Sequence, residues 1–264
     1  MRNSGRTAAA LLLSATAAIA SPSAPQAAAA TGAVPDQVER VMNVGVMADG
    51  RYSGRVGIDV TSTSTGDVMI DPIRPGIECL DPNGRPVVLP TGTPTEESRA
   101  CVDVMYAAQK HWDMLRAWLG RTGHGYPARL ASRSGTTPPS PGQMIIAYNA
   151  RSGWVTAMDV LAYEYGQRIY QTSGTGGTGT GNEAQALGVS AGDIFGALTE
   201  HYANNPNDPP DYLVGEDVNL LGRGPIRNMY NPGALGDPNC YGPAIPRTEA
   251  HVAAGPQNHW FYLL

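Results

Sequence analysis

The chain has 264 residues, a net charge of −5, 42% hydrophobic and 16% charged residues, 32 glycines and 22 prolines. That length supports one or two domains with a real core, and the composition is that of a globular, loop-rich protein rather than a fibrous or disordered one. No Lys/Arg cluster follows the first residues, so the charge pattern argues against nucleic acid or an anionic membrane surface as partner.

At the amino terminus Arg2 and Arg6 precede an apolar run from Thr7 to Ala20, and Ala18-Ile19-Ala20 offers small residues for cleavage. This pattern predicts a signal peptide over residues 1–20 and a secreted, extracellular chain. A membrane anchor needs roughly 18 or more uninterrupted apolar residues, and Ser14, Thr16 and Ser21-Pro22 break the run. Residues 21–43 read as a Pro/Ala linker and short pro-like segment. From Tyr52 to Val88 the pattern is strand-like, with alternation in Arg55-Val-Gly-Ile-Asp-Val-Thr-Ser and a turn at Asp81-Pro-Asn-Gly84. Apolar residues at three- and four-residue intervals predict a helix over Glu96–Leu119. A Gly/Pro/Ser loop follows, then a strand at Gln143–Tyr148. Further helices are predicted over Thr156–Gln171 and Ala184–Tyr202, separated by a Gly/Thr tract. Strands first and helices afterwards give an α+β class, with a β-rich part over 44–157 and a helical part over 158–264.

Export permits disulfides, and there are three cysteines. Cys79 and Cys101 flank a loop they could close, leaving Cys240 over, but three pairings are possible and the sequence does not choose. No C-x-x-C spacing suggests a cysteine–zinc site.

Several segments, in order, resemble the thermolysin-like family of zinc metallopeptidases in its secreted actinomycete form. Asp103-Val-Met-Tyr-Ala-Ala-Gln-Lys-His-Trp-Asp113 is similar to the family's D-A-H-Y-G-x-Q-K-T-W-D helix. Asp159-Val-Leu-Ala-Tyr-Glu-Tyr-Gly-Gln167 stands where the family has D-V-x-x-H-E-x-x-H. Asp193-Ile-Phe-Gly196 and Glu200-x-Tyr202 match the end of N-E-A-x-S-D-I-F-G-x-x-x-E-x-Y. Asp211-Tyr-Leu-Val-Gly-Glu216, Ile226-Arg-Asn-Met-Tyr-Asn-Pro232 and Gly255-x-x-Asn-His-Trp-Phe-Tyr-Leu-Leu264 follow in order.

The resemblance implies a zinc site, and the chain departs from it. Two His four apart on a helix grip the ion while the intervening Glu serves as base; here those His positions are Tyr163 and Gln167. A phenol and a neutral amide are poor zinc ligands. The third ligand position falls on Val189, four residues before Asp193. Asn182-Glu183-Ala184 also spells N-E-A, but Glu183 is ten residues before Asp193. On a helix that is about 280° past whole turns, against about 40° for four residues, so the faces differ. Zinc is therefore not expected. Glu164 keeps the base position and His251 that of the transition-state-stabilising His, with no Asp just upstream of it; both are vestigial. Asp193 matches the carboxylate that orients a zinc-bound His, and Arg227 the substrate-binding Arg.

The resemblance also assigns Asp159, Glu200, Asp211 and Glu216 to a structural calcium pair, and calcium is the expected cofactor, since clustered acids without a cation repel. His111, His124, His201 and His259 are read as surface or hydrogen-bonded rather than as ligands. About thirty residues between the leader and Tyr52 are too few for a folded propeptide. The apolar run Trp260-Phe-Tyr-Leu-Leu264 falls where the family continues into further helices, so a partner or homodimer is expected to cover that face. The expected function is a secreted homologue without zinc or peptidase activity that binds a peptide or protein in its cleft. The alternative is an extracellular zinc metalloendopeptidase with an atypical site built from Glu164, Glu183 and His251.

Overall fold

The computed structural model describes residues 42–123, 125–133, 142–174 and 179–264. The signal peptide, residues 21–41 of the linker, and His124 lie outside the described residues. The architecture is α+β.

Strand β1 (Met42–Asp49) pairs antiparallel with β2 (Arg55–Thr63) over its whole length, from Met42 opposite Ser62 to Asp49 opposite Arg55. The pairing brings residues 42 and 43, which fall in the segment read as linker, into the sheet. The short β3 (Gly66–Val68) completes this sheet. Alternation in β2 buries Val56, Ile58 and Val60 on one face, the period of two a half-buried strand requires. A second, parallel sheet orders β4 (Glu78–Leu80), β5 (Pro127–Leu130) and β6 (Met144–Ile146). The pair β7 (Tyr148–Asn149) and β8 (Gly153–Trp154) leads from this sheet to the helices.

Helix α1 (Glu96–Leu119) is bounded as its sequence demands. Thr95 caps its first turn by accepting from the Ser98 amide, with Glu96 and Glu97 at the positive end of the helix dipole. Gly120 adopts the left-handed conformation that ends it. The buried face of α1 packs Cys101, Val104, Met105 and Ala108 against Val56, Ile58 and Val60, forming the main core. Cys79 and Cys101 are disulfide-bonded, fastening β4 to α1 and leaving Cys240 free and exposed. Asp103 is buried in α1 and accepts from the Arg51, Tyr52 and Ser53 amides and the Thr156 hydroxyl. It thereby ties the β1–β2 turn to the start of the helical part.

Helices α2 (Met158–Thr172) and α3 (Asn182–Ala203) lie along each other. Glycines permit the approach: a Cβ on Gly196 would sit 2.8 Å from the Asp159 carbonyl. After α3 the chain forms β9 (Leu213–Val214) against β10 (Arg227–Asn228), two 3₁₀ turns, and the short helices α4 (Ala250–Ala253) and α5 (Gly255–Tyr262). No helix of the described residues is long and apolar enough to cross a membrane.

Candidate functional site

Helix α2 presents Asp159, Tyr163, Glu164 and Gln167 within just over two turns, so their side chains serve neighbouring environments. Tyr163 is 1% exposed. Its ring packs in a small apolar cluster with Val189, Ala250 and Ala254, and the Arg227 guanidinium lies 5.1 Å from the ring centroid. The Tyr163 hydroxyl accepts from the Gln167 side-chain amide at 2.5 Å, and burial pushes the phenol well above its ordinary range. The three positions at which the resemblance implies zinc ligands are therefore together in space, packed and hydrogen-bonded to one another. Val189, not Glu183, faces Tyr163. Glu183 lies in the first turn of α3.

Gly192 makes room for this tyrosine. A Cβ there would come to 2.7 Å from Cε2 and 3.0 Å from Cγ of the Tyr163 ring, and closer still to Cδ2. The family motif quoted above has Ser at this position, one before the Asp.

Asp193 and Arg227 are paired with each other. Arg227 donates through Nε and Nη2 to the two Asp193 oxygens at 2.7 and 2.6 Å, and Asn258 Nδ2 donates to Oδ2 at 2.7 Å. Among the described residues no hydrogen bond joins Asp193 to Tyr163; its carboxylate holds Arg227 and Asn258 instead of orienting position 163. Two of the three Arg227 nitrogens are committed to Asp193 in a buried, bidentate pair. His251 has no Asp just upstream but does meet a glutamate. Glu249, two residues upstream, meets His251 Nδ1 at 2.7 Å and caps α4 by accepting from the His251 and Val252 amides. Against the upward push of burial, those bonds hold Glu249 below the usual carboxylate range.

Glu164 lines a small pocket with Met144, Ile146, Val155, Val160, Leu161 and Leu220. Burial lifts its carboxyl to about 7, with Arg227 pulling the other way.

A separate acidic centre lies where α2, α3 and the loop around β9 meet. Carboxylate oxygens of Asp159, Glu200 and Glu216 all fall within 4.8 Å of one another, as do those of Asp208, Glu216 and Asp217, so Glu216 belongs to both groups. Asp211 adjoins both, raising Glu200, Asp208 and Glu216, but is in neither tight group; its Oδ1 caps the Leu213 amide at 2.6 Å. Asp208 and Asp217 were not expected. The acidic doublet 216–217 was a readable signal, whereas Asp208 lies in the stretch read only as the stop after α3. Burial, and then repulsion among the carboxylates, lifts Asp159 to about 7, Asp208 to about 8, Glu216 to about 9 and Glu200 to about 12. Both Glu200 oxygens and Glu216 Oε2 are buried without a hydrogen-bond partner among the described residues.

Among the described residues, His111, His201 and His259 are packed against aromatic rings. His111 is buried, hydrogen-bonded to Thr199 at 2.9 Å and stacked on Tyr165; burial depresses it to about 3, so it is neutral. His201 and His259 join an aromatic cluster with Tyr212 and Tyr262.

Residues 181–264 match the family model described as thermolysin metallopeptidase, alpha-helical domain. The chain is 30% identical over 234 residues to the transglutaminase-activating metalloprotease of Streptomyces mobaraensis, covering 81% of this chain and 30% of that protein. It is 34% identical over 113 residues to a bacillolysin of Brevibacillus brevis and to a thermolysin of Bacillus caldolyticus, covering 40% of this chain and 20% of each relative. The chain thus spans less than a third of the length of these relatives. The ordered motifs, the α+β architecture and these matches lead to one conclusion: the chain belongs to the thermolysin-like metallopeptidase family.

Proposed function

We propose that the chain is a secreted family member that does not hold zinc or cleave peptides, and that acts by binding a peptide or protein in its cleft. The observation that carries this reading is the Tyr163–Gln167–Val189 cluster. A buried phenol hydrogen-bonded to an amide and packed on a valine offers no thiolate, imidazole or carboxylate, so these residues do not fit zinc. Without the ion, Glu164 has no metal-activated water to deprotonate.

The acidic centre does fit calcium. Hard oxygens from several carboxylates, some buried without any hydrogen-bond donor, are the donor set that ion prefers, and six to eight oxygens are typical. Asp159, Glu200 and Glu216 would hold one ion, and Asp208, Glu216 and Asp217 a second, with Asp211 adjoining. Calcium there supplies charge neutralisation and a crosslink between α2, α3 and the β9 loop. The leader-like amino terminus supports export to a calcium-containing medium. The exposed Trp260, Tyr262, Leu263 and Leu264 at the end of α5 are the face a partner or second copy would cover.

The test is proteolysis of unfolded casein and of an internally quenched peptide, with zinc supplied in the buffer. The reading requires no cleavage that a zinc chelator abolishes. Chelator-sensitive turnover, lost in both Glu164→Gln and Glu183→Gln, would overturn it in favour of a peptidase with the atypical site.

A further inference from the structure

We propose that strand β1 is a pairing edge through which two copies of this chain join antiparallel, about a two-fold axis at Val46. Three strands from each copy then form one continuous sheet. The order β1–β2–β3 leaves β1 at the edge, and among the described residues its outer side meets no other strand. All eight residues of β1 pair with β2 in unbroken register, so no bulge twists the free edge away. A row of unpaired N–H and C=O groups templates a further strand, and proteins that keep such an edge free blunt it with Lys, Pro, bulges or very short strands. The segment Met-Asn-Val-Gly-Val-Met-Ala-Asp contains neither Lys nor Pro, and its one charge, Asp49, stands at the end.

The residues of β1 favour a second copy as the occupant. Directly opposed residues of an antiparallel pair share a face, so keeping core side on core side requires an axis through a residue rather than between two. With the axis at Val46, positions 43–49 are paired. On the inner face Val46 meets itself; it is partly buried against the main core and stands opposite Ile58 within its own sheet. An apolar row Ile58–Val46 therefore runs on into the Val46 and Ile58 of the second copy. On the outer face Met47, 58% exposed, falls opposite Gly45 of the second copy. A glycine already makes room for it on the other flank, where a Cβ on Gly57 would stand 3.6 Å from its sulfur. Moving the axis to Gly45 would instead set glycine on glycine. Asp49, 3.7 Å from Arg55 of its own sheet, falls opposite an asparagine, residue 43, so no like charges oppose each other across the seam. An unrelated extended peptide could take up the backbone groups, but only a second copy brings this side-chain fit.

The test is sedimentation velocity on the purified secreted chain carrying Cys240→Ser, which removes any disulfide through that exposed thiol. A reversible, concentration-dependent dimer is expected. Adding Gly45→Lys and Met47→Lys together should weaken it by about tenfold or more, since lysines would then oppose each other twice across the axis. Both positions are exposed, and a Cβ at Gly45 would meet nothing closer than 3.8 Å, so the circular dichroism spectrum should not change. Val46→Cys should give a covalent dimer on mild oxidation. Asp49→Cys should not, because its two copies would stand about 20 Å apart along the strands. The cross-link keeps the proposal falsifiable if the lysine variant does not fold. A chain that stays monomeric at the highest concentration reached overturns the proposal. So does a dimer that survives both lysines without a Val46→Cys cross-link, which would move the interface to another face, such as the end of α5. A different polypeptide co-purifying on a monomeric chain would also overturn it.

Discussion

The packing of Tyr163 against Gly192 makes a quantitative prediction about Gly192→Ser. In a helix interior, serine is intrinsically preferred to glycine by about 0.5 kcal/mol, so propensity alone would stabilise α3. Sterics oppose it. The new Cβ would come to 2.7 Å from Cε2 of a ring that is fully buried and hydrogen-bonded at its far end, and neither α2 nor the ring has open space to retreat into. Overpacking of this kind costs about 1–3 kcal/mol, so the net effect should be a loss of about 1–2 kcal/mol. For a chain of this size that lowers the melting temperature by roughly 2–8 °C. Tyr163→Ala removes the obstructing ring, so Gly192→Ser should be neutral or mildly stabilising in that background. The assay is urea denaturation of wild type, both single variants and the double variant at fixed calcium, read as a double-mutant cycle. A coupling energy of about 1–3 kcal/mol is expected, as for residues in contact. Equal effects of Gly192→Ser in both backgrounds would refute the claim that the tyrosine ring fills the space the glycine vacates.

Arg227→Leu should cost about 3–5 kcal/mol, because it strands the buried Asp193 carboxylate; a loss below about 1 kcal/mol in thermal denaturation would mean that the pair is not buried in solution. In chelator, stability should fall as pH rises from about 5 to 9. Asp159, Asp208, Glu216 and Glu200 are lifted far above their unfolded values near 4, so the folded chain binds more protons than the unfolded one across that window. Saturating calcium should raise the melting temperature at pH 8 and weaken that slope; a chelated chain equally stable at pH 5 and pH 9 would contradict the acidic cluster. Replacing both Cys79 and Cys101 by Ala opens a loop with 22 residues of separation and should cost about 3 kcal/mol, measured by urea midpoint against the oxidised parent.

Features fixed by local periodicity were legible before the fold was known. Helix α1 carries its apolar spacing, cap and terminating glycine within one segment, so its span could be read directly. Strand β1 could not, because Met42–Asp49 becomes a strand only through its pairing with β2. At the site, the ordered motifs located α2, α3 and β10, and with them Tyr163, Gln167 and Val189. The reading failed where function depended on partners distant in sequence. Arg227 and Asp193 are 34 residues apart, and nothing local signals that each takes up the other. Glu249 stands two residues before His251 at a helix start, where a glutamate is a natural cap. The role of Gly192 becomes visible only when the tyrosine ring is in place, since a glycine preceding Asp193 has no meaning of its own.

We propose that this family member has a packed cluster in place of the zinc site and keeps a calcium centre. The most direct measurement is metal content by inductively coupled plasma mass spectrometry, on the chain purified from culture medium without chelators and dialysed against metal-free buffer. The account predicts about one or two calcium ions per chain, matching the two carboxylate groups that share Glu216, and no stoichiometric zinc. Zinc near one per chain that survives dialysis would contradict it.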